Sequence, residues 1–156
     1  IGDSYMCAGG LPIPTKDHAQ KMLHAAFEIR DFIENIKSSE VREITHFNIR
    51  IGIHTGPVVA GVVGIKKFAY DIWGDTVNIA SRLESNSEPG KINISENTYQ
   101  LIKDSFECEY RGEIKAKNKG MMKMYYVHQK KGIKNPFTDS EKNEDPSNNE
   151  SQERAS

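Results

Sequence analysis

The sequence predicts an α+β sandwich: a ferredoxin-like βαββαβ core with a C-terminal β-hairpin and helices packed on the sheet. Three observations carry that prediction. Apolar residues recur at 3.6-residue spacing between Asp17 and Lys37. Apolar and polar residues alternate from Phe47 to Ile53, and a Gly-Pro turn then leads into a second apolar run. Beyond Ala69, short strand patterns interleave with capped helical ones.

Taken in order, Tyr5 to Ala8 reads as a strand that Gly9-Gly10-Leu11-Pro12 breaks. Ala19, Met22, Leu23, Ala26, Ile29, Ile33 and Ile36 form one apolar stripe, so Asp17 to Lys37 is an amphipathic helix, with Thr15 or Asp17 available as its cap. His18 and His24 lie on or near this helix without a partner at metal-ligand spacing, and read as surface or hydrogen-bonded histidines. Phe47, Ile49, Ile51 and Ile53 alternate with Asn48, Arg50 and Gly52, giving a half-buried strand. Gly56-Pro57 turns the chain into a strand from Val58 to Val63, and a short strand from Ala69 to Ile72 stops at Gly74. A helix from about Asp75 to Ser85 follows, capped by Asp75 or Thr76. Asn86 to Gly90 is a loop, Ile92 to Ile94 a strand, Ser95 the cap of a helix through Phe106, and the remainder to His128 a β-hairpin.

Composition narrows the function. With 37% apolar and 28% charged residues, the 156-residue chain is an ordinary globular domain able to bury a core without staples. A net charge of −1 points to neither nucleic acid nor an anionic membrane as partner. No apolar run approaches a membrane span; the longest, Pro57 to Ile65, is cut by Gly61 and Gly64. No secretory leader pattern is visible, and the opening Ile1-Gly2-Asp3 reads as a strand end whose upstream part is missing. Cys7 and Cys108 read as reduced thiols, and no Cys/His group has metal-ligand spacing. From Asn135 onward six acids stand against two bases with almost no apolar residue, so a disordered acidic tail is expected.

Four groups of residues carry possible chemistry. Gly52, Gly56, Gly61 and Gly64 match neither dinucleotide nor triphosphate loop patterns, and fit a strand turn and a close-packed strand better. In the helix after Gly74, Asn78 and Arg82 stand at i and i+4 on one face, while Val77, Ala80 and Leu83 occupy another that can pack. An amide and a guanidinium together suit phosphate, though a solvated polar face would look the same. Trp73 beside them reads as core. Asp3 is either a turn residue or a hard-oxygen ligand for Mg²⁺. Lys115, Lys117, Lys119 and Lys123 surround Gly120 in a hairpin loop, either solvated or poised on a triphosphate.

Three segments together resemble the class III adenylyl/guanylyl cyclase catalytic domain. They are Ile1 to Met6, Gly52 to Gly64 and Tyr70 to Ser85, which hold I-G-D-S-Y-M, G-I-H-T-G-P-V-V-A-G-V-V-G and Y-D-I-W-G-D-T-V-N-I-A-S-R-L-E-S in family order. Gly9-Gly10-Leu11-Pro12 resembles bacterial-type members. The likeness implies a cyclase domain over residues 1–130, which leaves 131–156 as the disordered acidic tail expected from composition. It implies that Asp3 is the second metal aspartate, that Asp71 accepts from the adenine amino group where guanylyl cyclases usually carry Cys or another residue that is not Asp, and that the Ile72 backbone contacts the base. It further implies that Asn78 orients the ribose, that Arg82 stabilises the transition-state phosphate, and that Lys119, with Lys117 as the alternative, holds the triphosphate. The family's upstream strand, with its first metal aspartate and base-selecting Lys or Glu, is not in this sequence.

The implied reaction is adenylate cyclase chemistry: attack of the ribose 3′-oxygen on the α-phosphorus of ATP, with loss of pyrophosphate, assisted by two Mg²⁺ (or Mn²⁺) ions. In this family the Asp3 position and the Asp71, Asn78 and Arg82 positions reach one nucleotide from different subunits. A chain holding both sets is therefore expected to form a homodimer with two shared sites. The expected location is cytoplasmic, with membrane contact only through a separate domain. The alternatives are a guanylate cyclase and a non-catalytic cyclase-like domain that dimerises or senses nucleotide.

Overall fold

In the computed structural model, residues 3–38, 48–63, 69–116 and 120–131 are described, the side chains of residues 63, 69, 70 and 116 aside. The elements run α1 (His18–Ser38), β1 (Ile51–Ile53), β2 (Val59–Val63), β3 (Ala69–Trp73), α2 (Asp75–Ser85), β4 (Ile92–Ser95), α3 (Glu96–Ile102), β5 (Phe106–Ala116) and β6 (Gly120–Lys130). Four strands make a mixed sheet in the order β1-β4-β6-β5, with β1 parallel to β4 and the other pairs antiparallel. β2 and β3 form a separate antiparallel pair.

The helices cover both faces of this sheet because its strands are apolar on both. Ile92 and Ile94 face a core with Ala19, Leu23 and Ala26 of α1, Ile53, Ile102, Phe106 and Val127. Met122 and Met124 point the other way along β6 and pack with Ile79 and Leu83 of α2 and with Ile114. Phe106, at the start of β5, is nearly fully buried, with Phe27 stacked on its ring and His24 at its edge. These contacts make the layered α+β arrangement the sequence predicts.

Several local expectations need correction. Residues 4–8 carry no strand and are exposed: no neighbouring strand pairs with them among the described residues, so β-propensity alone does not make a ladder. The β1 ladder begins at Ile51; Phe47 lies outside the described residues, and Asn48 to Arg50 carry no strand, although the Ile49 carbonyl accepts the Gly90 N–H (2.8 Å). The third helix stops at Ile102, since Phe106 is drawn into β5 and pairs with Lys130. In α2 the buried positions are Thr76, Ile79 and Leu83, whereas Val77 and Ala80 are only partly covered. Trp73 is 40% exposed and is not core, because the β2–β3 pair stands apart from the main sheet. The expected tail lies beyond the described residues.

Other expectations match the structure. Ser95 caps α3, its hydroxyl accepting from the Thr98 N–H (3.3 Å). His18 bonds the Thr15 carbonyl through Nδ1 (2.7 Å) and His24 is exposed. Cys7 and Cys108 are both free thiols, and burial pushes the Cys108 thiol up to about 11, so it stays protonated near neutral pH. Among the described residues, no helix is long and apolar enough to cross a membrane.

Candidate active site

The site is built around α2. Gly74, at φ 130°, turns the chain out of β3, a conformation that favours glycine. Its carbonyl accepts the Val77 and Asn78 N–H groups (3.1 and 3.5 Å), so the helix starts without any side-chain cap, contrary to the expected capping by Asp75 or Thr76. Thr76 instead donates its hydroxyl to the Pro57 carbonyl in the β1–β2 connection (2.6 Å).

The far end of α2 is held by amides. The Arg82 carbonyl accepts the Asn86 N–H (3.0 Å) and its side-chain Nδ2–H (2.8 Å). The Leu83 carbonyl accepts from Nδ2 of Asn93, a fully buried residue on β4 (2.8 Å). Between these ends the helix lies against β1 at Gly52. A Cβ there would stand 2.2 Å from the Glu84 nitrogen and 2.4 Å from the Ala80 carbonyl oxygen, so only glycine allows the approach.

Asn78 and Arg82 both emerge on the exposed side of α2. Together with Asp75, Ile79 and Ser81 they line an open depression of about 370 Å³, at the low end of ligand-site sizes. Arg82 Nη1 donates to the Lys115 carbonyl on β5 (2.7 Å), which ties the guanidinium to the strand leading into the hairpin loop. Lys117 and Lys119, the candidate triphosphate lysines in that loop, lie outside the described residues.

Asp71 and Ile72 sit on β3 just before α2, but do not line the depression. Asp71 is exposed, and its Oδ1 accepts the Ile72 N–H (2.8 Å), which orients the carboxylate. Its partner across the β2–β3 ladder is Gly61, so no side chain stands directly opposite. Asp3 is exposed in the segment before α1 and does not line the depression either. The structure therefore brings Asn78 and Arg82 together in the depression, keeps Asp71 and Ile72 on the adjoining strand, and does not include Asp3 in the depression's lining.

The donor set bears on a metal. Among the described residues no group of three or more His, Cys, Asp or Glu could hold an ion, so an all-protein cage of the Zn²⁺ or Ca²⁺ kind is not built there. A single exposed carboxylate such as Asp3 suits Mg²⁺, which takes one or two carboxylates and completes its shell with substrate phosphates and water.

Two supports of the site are not evident in the sequence reading. Thr76 looks like an ordinary helix cap, and its partner Pro57 is remote in sequence. Asn93 had a signal, a polar residue between Ile92 and Ile94 in an apolar strand, which in a buried strand must find a hydrogen-bond partner.

An exposed amide–guanidinium pair on a helix behind a short strand pair, beside a mixed sheet covered on both faces, now has a family to belong to. Residues 1–129 match the adenylate and guanylate cyclase catalytic domain, and the chain belongs to that family. It is 40% identical over 135 residues to an adenylate cyclase of Mycobacterium tuberculosis, covering 86% of this chain and 30% of that protein. It is 44% identical over 130 residues to the guanylate cyclase soluble subunit beta-2 of Rattus norvegicus, covering 83% and 19%. The chain thus spans less than a third of these curated relatives. Among solved structures it resembles the guanylate cyclase domain of RhGC from Catenaria anguillulae in complex with GTP, with TM-score 0.67, 42% identity and coverage of 79% of this chain and 66% of that one. It also resembles the adenylyl cyclase CyaB from P. aeruginosa, with TM-score 0.69, 32% identity and coverage of 78% and 65%.

Proposed function

We propose that this chain is the catalytic domain of an adenylate cyclase, converting ATP to 3′,5′-cyclic AMP and pyrophosphate at sites shared between two copies. The observation that carries the choice of base is Asp71. Relatives of both kinds are similar to this chain, so the family by itself does not select the purine. Asp71 is a carboxylate, an acceptor only when ionised, and the bond from Ile72 holds it in place while leaving it acceptor capacity. It meets the adenine amino group as donor to acceptor and the guanine carbonyl as acceptor to acceptor. Each unmade hydrogen bond in a closed site costs about 1–3 kcal/mol.

The remaining roles are those that the resemblance to the cyclase family implies, and the side chains suit them. Asn78 bonds the ribose and lines its 3′-oxygen up with the α-phosphorus. Arg82 donates to the charge that develops on the α-phosphate in the transition state, and its carbonyl partner on β5 holds the guanidinium ready. Ile72 offers backbone to the base, and Lys119, or Lys117, neutralises the triphosphate. Asp3 contributes one carboxylate to the Mg²⁺ or Mn²⁺ ions, which when bound neutralise phosphate charge and acidify the 3′-hydroxyl. A homodimer is what the family resemblance implies, and Asp3 is not among the residues that line the Asn78 and Arg82 depression, so a second copy can supply it.

The test is cyclic nucleotide production from ATP and GTP by the full-length protein. ATP is the expected substrate, and Asp71→Cys should erode the preference by about 10-fold or more, mostly through poorer use of ATP. An enzyme that uses GTP as well as ATP sinks the adenylate assignment and leaves the cyclase reading in place, and an Asp71→Cys variant with unchanged ATP preference removes Asp71 from the choice of base.

A further inference from the structure

We infer that Thr76 is a positioning residue for Asn78 and Arg82, acting through the turn between β1 and β2; this rests on the cyclase reading above. The turn is itself anchored. His54 Nδ1 pairs with the Ser95 hydroxyl at the cap of α3 (2.7 Å), and the Thr55 hydroxyl pairs with that of fully buried Thr98 (3.0 Å). Two residues beyond Thr55, Pro57 presents its carbonyl to α2, and the Thr76 hydroxyl donates to it at 2.6 Å. The contact is tight on its other side as well. A Cβ added to Gly56 would stand 2.6 Å from Thr76 Oγ1 and 3.3 Å from His54 Nε2, so glycine lets the turn close onto the hydroxyl.

Among the described residues, the Thr76 hydroxyl has no other hydrogen bond. The residue is buried at 7% exposure, and α2 has no side-chain cap, so the hydroxyl does not serve its own helix end. Its bond instead fixes where the first turn of α2 begins relative to a frame that α3 holds. Asn78 is two residues on and Arg82 six, both on the helix that this bond aims. In-line attack requires the ribose and phosphate contacts to be set together, and a displacement of about 1 Å is enough to cost on the order of 100-fold in rate. Thr76 touches no reacting atom; it acts by setting two residues that do.

The experiment compares Thr76→Val, which keeps the shape and removes the hydroxyl, with Thr76→Ser, which keeps the hydroxyl, in the full-length protein. Steady-state kinetics with ATP and GTP and amide hydrogen exchange are read in parallel. Thr76→Val should lower kcat by about 10- to 100-fold while KM stays within about two-fold, and Thr76→Ser should stay close to wild type. Exchange at the Val77 and Asn78 amides should quicken about 5- to 10-fold in Thr76→Val, with protection in β4 and β6 unchanged. Gly56→Ala, which presses on the same hydroxyl from the turn, should give the same kinetic split and serves if Thr76→Val does not fold. A Thr76→Val enzyme with kcat within two-fold of wild type, or a Thr76→Ser enzyme as impaired as Thr76→Val, overturns the inference. A wild-type protein that makes no cyclic nucleotide from either substrate defeats the cyclase reading instead. The exchange data then decide the positioning role alone, and unchanged exchange in Thr76→Val overturns it.

Discussion

Arg82 illustrates how one side chain is prepared by its surroundings. Its backbone carbonyl is doubly bonded by Asn86 and its guanidinium reaches the Lys115 carbonyl, so little of its freedom remains to be lost when a phosphate arrives. A guanidinium on the developing charge of the transition state acts mainly on the chemical step. Arg82→Ala should therefore lower kcat by about 100-fold or more while KM for ATP changes little. Steady-state kinetics on the full-length protein read the split, and a raised KM with kcat intact would move Arg82 to ground-state binding. The residue types and the i, i+4 spacing of Asn78 and Arg82 were legible in the sequence, because a helix places such positions on one face whatever surrounds it. The partner of the guanidinium was not, because Lys115 offers a backbone carbonyl, which every residue has.

At the scale of the element, α2 is pressed onto β1 so closely that its backbone occupies the space a side chain at position 52 would need. Gly52→Ala should force the helix outward between Ala80 and Glu84, the stretch that holds Arg82. The cost expected of such overpacking is about 1–3 kcal/mol of stability, together with a larger loss of activity. Gly61→Ala is the control: the nearest atom to its added Cβ is Trp73 Cζ3 at 3.6 Å, an ordinary contact, and stability should hold. Thermal unfolding of the two variants side by side checks this, and equal stability would remove the clamp at Gly52. Reading the glycines as packing residues rather than a phosphate loop was possible from their spacing. Which glycine carries the close approach was not, since the contact is made by a helix about 30 residues later in the chain.

At the scale of the whole molecule, the fact that Asp3 does not line the Asn78 and Arg82 depression bears on assembly. Asp3→Asn and Arg82→Ala should each inactivate a homodimer, because both of its sites lose one half. Mixed and allowed to exchange subunits, they should recover about a quarter of wild-type activity, since half the dimers are then mixed and each of those holds one intact site. Cyclic nucleotide production from the mixture measures this. Recovery no greater than the sum of the two variants alone means that both halves act within one chain.

By itself the sequence determined the alternation of strands and helices, the bounds of α2 to the residue, the Ser95 cap, the hairpin and the face shared by Asn78 and Arg82. These depend on spacing and on bonds between near neighbours, and local chemistry decides both. Tertiary structure alone decided that residues 5–8 form no strand, that Trp73 stays partly exposed, that α3 yields Phe106 to β5, and that Thr76 bonds Pro57 rather than capping its own helix. In each case a residue had two locally acceptable states. The choice between them was made by a partner distant in the chain: a strand that pairs, a core that receives a ring, or a carbonyl that comes within reach of a hydroxyl only once the sheet and its helices have packed.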